Sequence, residues 1–319
     1  MTPDGVLQVK GLSVQFPRRT AAHPPLMAVL DVSFVVGPGE TLGLVGESGS
    51  GKTTLARAIL RLVPAASGEV LWQGLNLLSM DATRLRRQRR DLQIVFQDPL
   101  ASLDPRMTVA DILGEPLDVH EPRLTADARQ ARIAAMLDQA GLSAGLRDRY
   151  PHEFSGGQCQ RVGIARAMMS NPKLLICDEP VSALDVSIRG QIVNLLVDLQ
   201  RDRGMAMLFI SHDLALVRHV SHRVLVFYLG RLIEIAPRDS LFAAPMHPYT
   251  RALMAAAAPD RPGQILKGEP SSPLEPPGGC AFRDRCTHAR ELCAGSVPRL
   301  EEISAGHFVA CHRWRELPD

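Results

Sequence analysis

A glycine-rich loop near the N-terminus constrains this chain more than any other feature. Residues 46–53 read Gly-Glu-Ser-Gly-Ser-Gly-Lys-Thr and follow the apolar run 42–45. Glycines let backbone N–H groups turn inward around phosphate oxygens, and the N-terminus of a following helix adds partial positive charge. Lys52 is expected to reach the β- and γ-phosphates, and Thr53 is expected to bind Mg²⁺. The motif predicts a strand–loop–helix unit that binds a nucleoside triphosphate.

Strand-like and helix-like patterns alternate along the chain. Apolar and polar residues alternate over 7–16 and 30–36, which predicts half-buried strands. Mostly apolar runs suit parallel strands that are buried on both faces, and they lie at 41–45, 92–96, 174–177 and 207–210. An apolar stripe at helical spacing runs through 186–199. This alternation predicts an α/β core.

Charge balance and hydropathy narrow the possible partners. The 36 basic and 34 acidic side chains give a formal net charge of +2, which argues against nucleic-acid binding through bulk electrostatics. No apolar run approaches the roughly 20 residues of a membrane-spanning helix. The first residues also lack the pattern of a signal peptide. We therefore expect a chain that stays in the cytosol and reaches a membrane only through a partner.

Two stretches interrupt the alternation of strands and helices. Residues 99–150 carry no strong strand signal and look helical, especially over 126–140, which predicts a helical insertion. Residues 259–279 are rich in proline and glycine. Such a composition predicts an extended linker that separates the C-terminal residues from the main body.

Four cysteines lie beyond this linker. Cys280, Cys286, Cys293 and Cys311 have the spacing C-x5-C-x6-C-x17-C. In a cytosolic protein such a cluster indicates metal binding before disulfides. Zinc and iron–sulfur clusters both accept four thiolates, and the tight C-x2-C pair of common zinc sites is missing. The spacing leaves zinc and an iron–sulfur cluster open, and cysteines without any metal are the third alternative.

A second set of motifs follows the glycine-rich loop. Phe-Ser-Gly-Gly-Gln at 154–158 precedes a helical run, and the apolar strand at 174–177 ends in Asp178 and Glu179. Together with the glycine-rich loop, these motifs resemble those of the ATP-binding cassette ATPases, whose signature reads Leu-Ser-Gly-Gly-Gln.

The resemblance extends to shorter motifs in the family's order. Gln97 matches the Q-loop, residues 182–185 match the D-loop, and His212 matches the switch histidine. Phe16 stands where the family stacks an aromatic ring on adenine. The resemblance implies an ATPase with an intact hydrolytic set.

The resemblance also implies a role for each matching residue. Glu179 would orient and polarise the attacking water, and His212 would hydrogen-bond the γ-phosphate. Gln97 would sense Mg²⁺ and couple to the membrane partner, while Thr53, Gln97 and Asp178 would surround the ion. The signature helix would face the γ-phosphate of a nucleotide bound by another subunit. Residues expected to contact nucleotide are Phe16, Gly46, Glu47, Ser48, Gly49, Ser50, Gly51, Lys52, Thr53, Thr54, Gln97, Ser155, Gly156, Gly157 and Gln158.

The C-terminal third narrows the resemblance to a subfamily. His-Pro-Tyr at 247–249, together with the segments 154–161 and 176–187, is similar to the ATPases of oligopeptide and dipeptide importers, particularly their F-type subunit. That subfamily implies a [4Fe–4S] cluster on the four C-terminal cysteines, with zinc as the alternative. It also implies a D-type cassette ATPase as heterodimer partner, two permease subunits, and indirectly a substrate-binding protein. The chain would act as a peripheral subunit at the cytoplasmic face of the membrane.

The resemblance implies a P-loop NTPase (RecA-like) core. An antiparallel β subdomain, a helical subdomain near 98–160 and a cysteine-rich C-terminal extension would complete the fold. We expect a cassette domain over 1–240, a connecting segment with the proline-rich linker over 241–279, and the extension over 280–319.

The expected function is ATP hydrolysis that energises uptake of oligopeptides or dipeptides. One alternative is an importer for nickel or another small solute. Another is a soluble cassette ATPase that acts on ribosomes or chromosomes, although the chain has one cassette and no sustained heptads.

Overall fold

The computed structural model describes residues 5–18, 25–257 and 277–317. Within these ranges the strands are β1 (Leu7–Phe16), β2 (Leu26–Val36), β3 (Thr41–Val45), β4 (Ser67–Trp72), β5 (Leu75–Asn76), β6 (Leu92–Val95), β7 (Leu174–Asp178), β8 (Ala206–Ile210), β9 (Arg223–Tyr228), β10 (Arg231–Pro237), β11 (Glu301–Ser304) and β12 (His307–Val309). The helices are α1 (Lys52–Ile59), α2 (Ala82–Gln88), α3 (Val109–His120), α4 (Ala126–Gln139), α5 (Gly156–Met168), α6 (Val186–Arg203), α7 (Leu214–Val220), α8 (Arg238–Ala243), α9 (Pro248–Ala256) and α10 (Glu291–Gly295).

The chain divides into two units, residues 1–79 with 210–319 and residues 80–209. The first unit therefore combines residues from both sides of the boundaries expected at 240 and 280. Residues 259–276 of the predicted proline-rich linker lie outside the described residues.

An antiparallel sheet occupies the N-terminal part of the first unit. Its strands lie in the order β2, β1, β4, β5. Along β1, Leu7, Val9, Leu12 and Val14 are fully buried, whereas the residues between them are partly or fully exposed. Buried and exposed residues alternate on each side of a register shift between Val9 and Leu12, which confirms the predicted half-buried strand, because successive side chains of a strand point to opposite faces.

A second sheet carries the glycine-rich loop. Within the first unit its strands follow the order β11, β12, β10, β9, β3, and only β3 and β9 are parallel to each other. All five residues of β3 are buried, and α1 begins at Lys52 directly after the loop. The predicted strand–loop–helix unit is confirmed.

The C-terminal extension contributes to this second sheet. Glu234 and Ile235 of β10 pair with Val309 and Phe308 of β12, and β11 pairs with β12 in turn. The sequence predicted an extension set apart by a linker. In the structure its last two strands instead continue the sheet that carries the glycine-rich loop.

The second unit contains the strands β6 and β7, all of β8 except its last residue, and the five helices α2 to α6. β6 and β7 are parallel, with Leu92 opposite Leu174 and Val95 opposite Cys177. Every residue of β7 and β8 is buried, as expected for strands covered on both faces.

Helices occupy the region in which the sequence predicted a helical insertion. α3 and α4 begin at the N-caps Thr108 and Thr125, whose hydroxyls accept backbone N–H groups of the first turn. On α6 the predicted apolar stripe is buried at Ile192 and Leu196. The prediction of a buried stripe is wrong at Val186. This residue directly follows the N-cap, and 81% of its surface is exposed.

Candidate functional site

The nucleotide loop (residues 46–53) is shaped by close backbone packing. Gly51 has φ +106, and a Cβ there would lie 2.2 Å from the carbonyl oxygen of Ala28. A Cβ on Gly46 would lie 2.2 Å from the carbonyl oxygen of Phe227. Both positions therefore require glycine.

Lys52 fixes the interior of the nucleotide loop. Its side chain is buried, and Nζ donates hydrogen bonds to the carbonyl oxygens of Gly46 at 2.8 Å and Glu47 at 2.9 Å. Thr53 and Thr54 follow on the first turn of α1, which contains no acidic residue. The ammonium group and the helix N-terminus together make this loop a site for anionic phosphates.

Glu47 is held from outside the nucleotide loop. Its backbone N–H donates to Tyr249 Oη at 3.0 Å. Its carboxylate accepts from Arg285 Nη1, at 3.0 Å to Oε1 and 2.9 Å to Oε2. Burial raises the pKa of the Tyr249 phenol, so the hydroxyl stays protonated.

Phe16 and His212 lie in the same unit as the nucleotide loop. Phe16 ends β1 opposite Leu26 and is half-buried. His212 is exposed, two residues beyond β8. Asp213 follows it and caps α7 by accepting two backbone N–H groups, which fixes the main chain next to His212.

Gln97 and Glu179 meet at the carboxyl ends of two parallel strands in the second unit. Asp178 is the last residue of β7 and is 1% exposed, and Glu179 follows it. Gln97 Nε2 lies 3.5 Å from Glu179 Oε2, at the outer limit of a hydrogen bond. Of the residues predicted to act in hydrolysis, the structure brings Gln97, Asp178 and Glu179 to this one strand edge.

The backbone at Glu179 is unusual. Its φ is +48, a left-handed conformation that is uncommon for a side chain with a Cβ. The Glu179 carbonyl oxygen accepts hydrogen bonds from the Ser182 hydroxyl at 3.1 Å and the Ser182 N–H at 3.3 Å. The turn that follows β7 thus holds the main chain of Glu179 in this conformation.

The signature motif forms the exposed N-terminus of α5. Ser155 Oγ accepts the Gln158 N–H at 3.3 Å, and Gln158 Oε1 accepts the Ser155 N–H at 3.0 Å. This capping box starts the helix at Gly156, three residues earlier than the helical run predicted from Cys159. A Cβ on Gly157 would lie 2.7 Å from Ile188 Cγ2, so glycine at this position lets α6 pack closely against the start of α5.

The four C-terminal cysteines line one cavity. The other residues around it include His247, His288 and His312. All four cysteines are free thiols, and burial raises the pKa of Cys280 and Cys286, and that of Cys311 to about 11. In the described part of the chain, however, no group of three or more His, Cys, Asp or Glu residues is arranged to hold a metal ion.

A buried carboxylate ties the His-Pro-Tyr segment to the extension. Glu234 is fully buried and accepts the N–H groups of Met246 at 2.8 Å and His247 at 2.9 Å. The ring of His307 lies 2.8 Å from the same carboxylate. Burial lowers the pKa of His247 to about 4, so its neutral Nδ1 can accept the Tyr249 N–H and start α9.

Sequence reasoning assigned no task to Tyr249, Arg285 or Glu234. The His-Pro-Tyr segment was the available signal for Tyr249, because it marked the subfamily. No local pattern distinguishes Arg285 from the other arginines of the extension.

No helix within residues 5–18, 25–257 and 277–317 is long and apolar enough to cross a membrane.

The chain is similar in sequence to known proteins over nearly its whole length. A family model described as ABC transporter matches residues 29–182, and one described as Oligopeptide/dipeptide transporter, C-terminal region matches residues 233–293. The chain is 49% identical over 319 residues to the oligopeptide transport ATP-binding protein OppF of Haemophilus influenzae, with 96% of each chain covered. It is 50% identical to the protein of the same name from Escherichia coli, with 96% of this chain and 95% of that one covered.

Solved structures give the same result for the fold. The dimeric post-hydrolysis structure of the ATP-binding cassette MJ0796, bound to ADP and Pi, is 27% identical with a TM-score of 0.67, and the match covers 73% of this chain and 98% of that one. CbiO1 from Clostridium perfringens is 27% identical with a TM-score of 0.66, over 76% and 92% of the two chains. The chain belongs to the ATP-binding cassette transporter family, in the group of oligopeptide transport ATP-binding proteins.

Proposed function

We propose that this chain is the ATP-hydrolysing subunit of an importer that carries oligopeptides across a membrane. The observation that carries the proposal is the pairing of Gln97 with Glu179 at the ends of two parallel strands, in a chain whose nucleotide loop is intact. The relatives that match almost the whole chain are oligopeptide transport ATP-binding proteins.

The nucleotide loop binds the phosphates of ATP in this proposal. Its backbone N–H groups and the N-terminus of α1 surround the phosphate oxygens, and Lys52 exchanges its loop carbonyl partners for the β- and γ-phosphates. Thr53 contributes its hydroxyl to Mg²⁺, and Thr54 lies beside it on the first turn. Phe16 stacks on the adenine ring.

Glu179 acts on the attacking water. Its carboxylate follows a fully buried strand and stands on a backbone fixed by Ser182, so it can orient and polarise a water with little reorganisation. Asp178 and Gln97 hold Mg²⁺, and His212 hydrogen-bonds the γ-phosphate. Phosphoryl transfer needs little beyond such positioning and charge neutralisation.

A second cassette completes each site. The exposed N-terminus of α5, with Ser155 and the two glycines after it, offers N–H groups to the γ-phosphate of a nucleotide held by the partner. The cassette MJ0796 has been solved as a dimer. We propose a D-type cassette ATPase as the partner of this chain.

Transport takes place in other subunits. In this proposal two permease subunits supply the path and this chain works as a peripheral subunit at the cytoplasmic face, which its similarity to oligopeptide transport ATP-binding proteins supports. A substrate-binding protein delivers the peptide, and no nucleic acid takes part.

The four C-terminal cysteines hold a [4Fe–4S] cluster in this proposal. They line one cavity and have thiolate donors suited to iron–sulfur clusters. Zinc is the alternative occupant, because four thiolates can also hold a zinc ion. The contribution of the cluster would be structural, because it would fold a short polar segment.

Affinity isolation from gently solubilised membranes tests the transport proposal. We expect two permeases and a second cassette ATPase to copurify with this subunit. Uptake of labelled oligopeptides by cells should then require this subunit, and uptake of nickel should not. Copurification of ribosomal or chromosomal proteins without any membrane protein would contradict the proposal.

A further inference from the structure

Glu47, the second residue of the nucleotide loop, is held by side chains that are distant in sequence. Tyr249, which accepts its N–H, is 202 residues away, and Arg285, which binds its carboxylate, is 238 residues away. Neither residue belongs to the motifs that bind ATP in the proposed function. Their shared contact shows that elements from the C-terminal part of the chain reach this loop.

The Arg285–Glu47 ion pair is sheltered from solvent. The side chain of Arg285 is 7% exposed and that of Glu47 is 22% exposed. Arg285 Nη1 also donates to Tyr228 Oη at 3.3 Å, and its guanidinium lies 5.9 Å from the centre of the Tyr228 ring. Salt screens such a sheltered ion pair little. Neighbouring side chains also fix its geometry, whereas an ion pair on the surface lacks such neighbours.

Glu47 connects this pair to the lysine of the nucleotide loop. Its carbonyl oxygen accepts a hydrogen bond from Lys52 Nζ at 2.9 Å. One residue thus binds Arg285 through its carboxylate, Tyr249 through its N–H and Lys52 through its carbonyl. A shift of Glu47 would move the loop backbone and one of the two carbonyl groups that hold Lys52.

The cysteine-rich extension presents Arg285. A short 3₁₀ turn, Arg283–Arg285, stands between Cys280 and Cys286. Phe282, at the start of this turn, is buried, and its ring packs edge-on against Tyr228 at 5.4 Å and Tyr249 at 5.5 Å. The position of Arg285 therefore depends on the fold of the extension and on its aromatic contact with the same two tyrosines.

We infer that Arg285 and Tyr249 are positioning residues that hold the nucleotide loop in its phosphate-binding conformation, so that the C-terminal extension sets the affinity of the chain for ATP. The inference rests on the proposed function of the loop as the ATP site. Neither residue touches the reacting atoms. Their loss should therefore raise the Kd and the KM for ATP and leave kcat nearly unchanged.

Nucleotide binding and turnover by the full-length chain test the inference. The probe is Mg²⁺ with a non-hydrolysable ATP analogue, measured by calorimetry, and ATP hydrolysis gives KM and kcat separately. We expect Arg285→Ala to raise Kd and KM by about tenfold, the size of one lost hydrogen bond to a charged group, with kcat within about twofold. Arg285→Lys should restore part of the affinity, and Tyr249→Phe should weaken binding by about threefold.

Arg283→Ala is the matched control. Arg283 belongs to the same turn, but the hydrogen bonds of its side chain go to Asp284 and to the carbonyl oxygens of Gly278 and Ala294, and none of them reaches the nucleotide loop. We expect Arg283→Ala to bind nucleotide as the wild type does. Equal weakening by Arg283→Ala and Arg285→Ala would overturn the inference, because any disturbance of the extension would then suffice.

Unchanged Kd and KM in a folded Arg285→Ala protein would also overturn the inference. If that variant does not fold, Arg285→Lys and Tyr249→Phe decide the matter, since both keep most of the packing. Wild-type affinity in both overturns the inference, and weakened affinity with unchanged kcat supports it. A wild-type chain that fails to bind the analogue contradicts the proposed function instead.

Discussion

The ring Nε2 of His307 lies 2.8 Å from Oε1 of Glu234, with neither side chain more than 6% exposed. This side-chain contact links β12 to β10, in addition to the backbone pairing of the same two strands. Glu234 also accepts two backbone N–H groups at the start of the His-Pro-Tyr segment. One carboxylate therefore connects the extension, the sheet and α9.

Glu234→Ala should destabilise the protein strongly. The change leaves the N–H groups of Met246 and His247 buried without their acceptor and empties space around the ring of His307, which costs about 3–5 kcal/mol in the free energy of unfolding. Glu234→Gln keeps one acceptor oxygen and should cost about half as much. Denaturant unfolding measures both. The control is Glu69→Ala at an exposed position, which should stay within about 0.5 kcal/mol of the wild-type stability. Similar stability of Glu234→Ala and Glu69→Ala would show that Glu234 does not hold these segments together.

Gly51→Ala should destabilise the nucleotide loop more than Gly49→Ala does. Both glycines have positive φ, so either change forces a left-handed alanine at about 1 kcal/mol. Only at Gly51 would the new Cβ also overlap a carbonyl oxygen, that of Ala28, whereas nothing lies within 4 Å at Gly49. We expect a total loss of about 3 kcal/mol or more for Gly51→Ala, measured by thermal unfolding without nucleotide. Equal losses for the two variants would show that the overlap is relieved by a small shift.

Glu179→Gln should separate nucleotide binding from hydrolysis. The amide is nearly isosteric but cannot take a proton from water, so kcat should fall by about a hundredfold or more, the usual contribution of a positioned base. The Kd for Mg²⁺–ATP should stay within about threefold of the wild-type value, because the nucleotide loop is untouched. Asp198→Asn on the exposed face of α6 is the control and should keep wild-type turnover. Near-normal hydrolysis by Glu179→Gln would remove Glu179 from the mechanism.

Replacing a C-terminal cysteine should abolish iron binding. Protein purified without oxygen should carry about four iron and four sulfide per chain if the cavity holds a [4Fe–4S] cluster. Cys311→Ser should lose the cluster absorption and most of the iron. Cys159→Ser should retain both, because Cys159 is buried on α5 and its thiol contacts the Pro151 carbonyl. A colourless wild-type protein loaded with zinc would contradict the cluster.

The sequence was sufficient for the local parts of the candidate site. The loop at 46–53, its strand and its helix were predicted from neighbouring residues, because glycine and lysine at this spacing have few other uses. The same holds for the carboxylates of Asp178 and Glu179 at the end of β7. The capping box of Ser155 and Gln158 could also have been read from its spacing, and it would have started α5 at its observed residue.

Long-range contacts could not be predicted in this way. Arg285 is one of several arginines in the extension, and only the folded position of Phe282 against Tyr228 and Tyr249 brings it to Glu47. Likewise, nothing in the local pattern of β12 specifies β10 as its partner. Such contacts depend on the packing of segments that are far apart in the chain, and a single sequence records that packing only indirectly.

The left-handed backbone of Glu179 has a consequence for engineering and for selection. Glycine or asparagine at this position would relieve strain of about 1 kcal/mol and would remove the carboxylate at the same time. In the proposed mechanism this carboxylate acts on the attacking water, so a screen for thermal stability alone would enrich proteins that no longer hydrolyse ATP. Any library that varies residue 179 therefore needs to be scored for both stability and ATP hydrolysis.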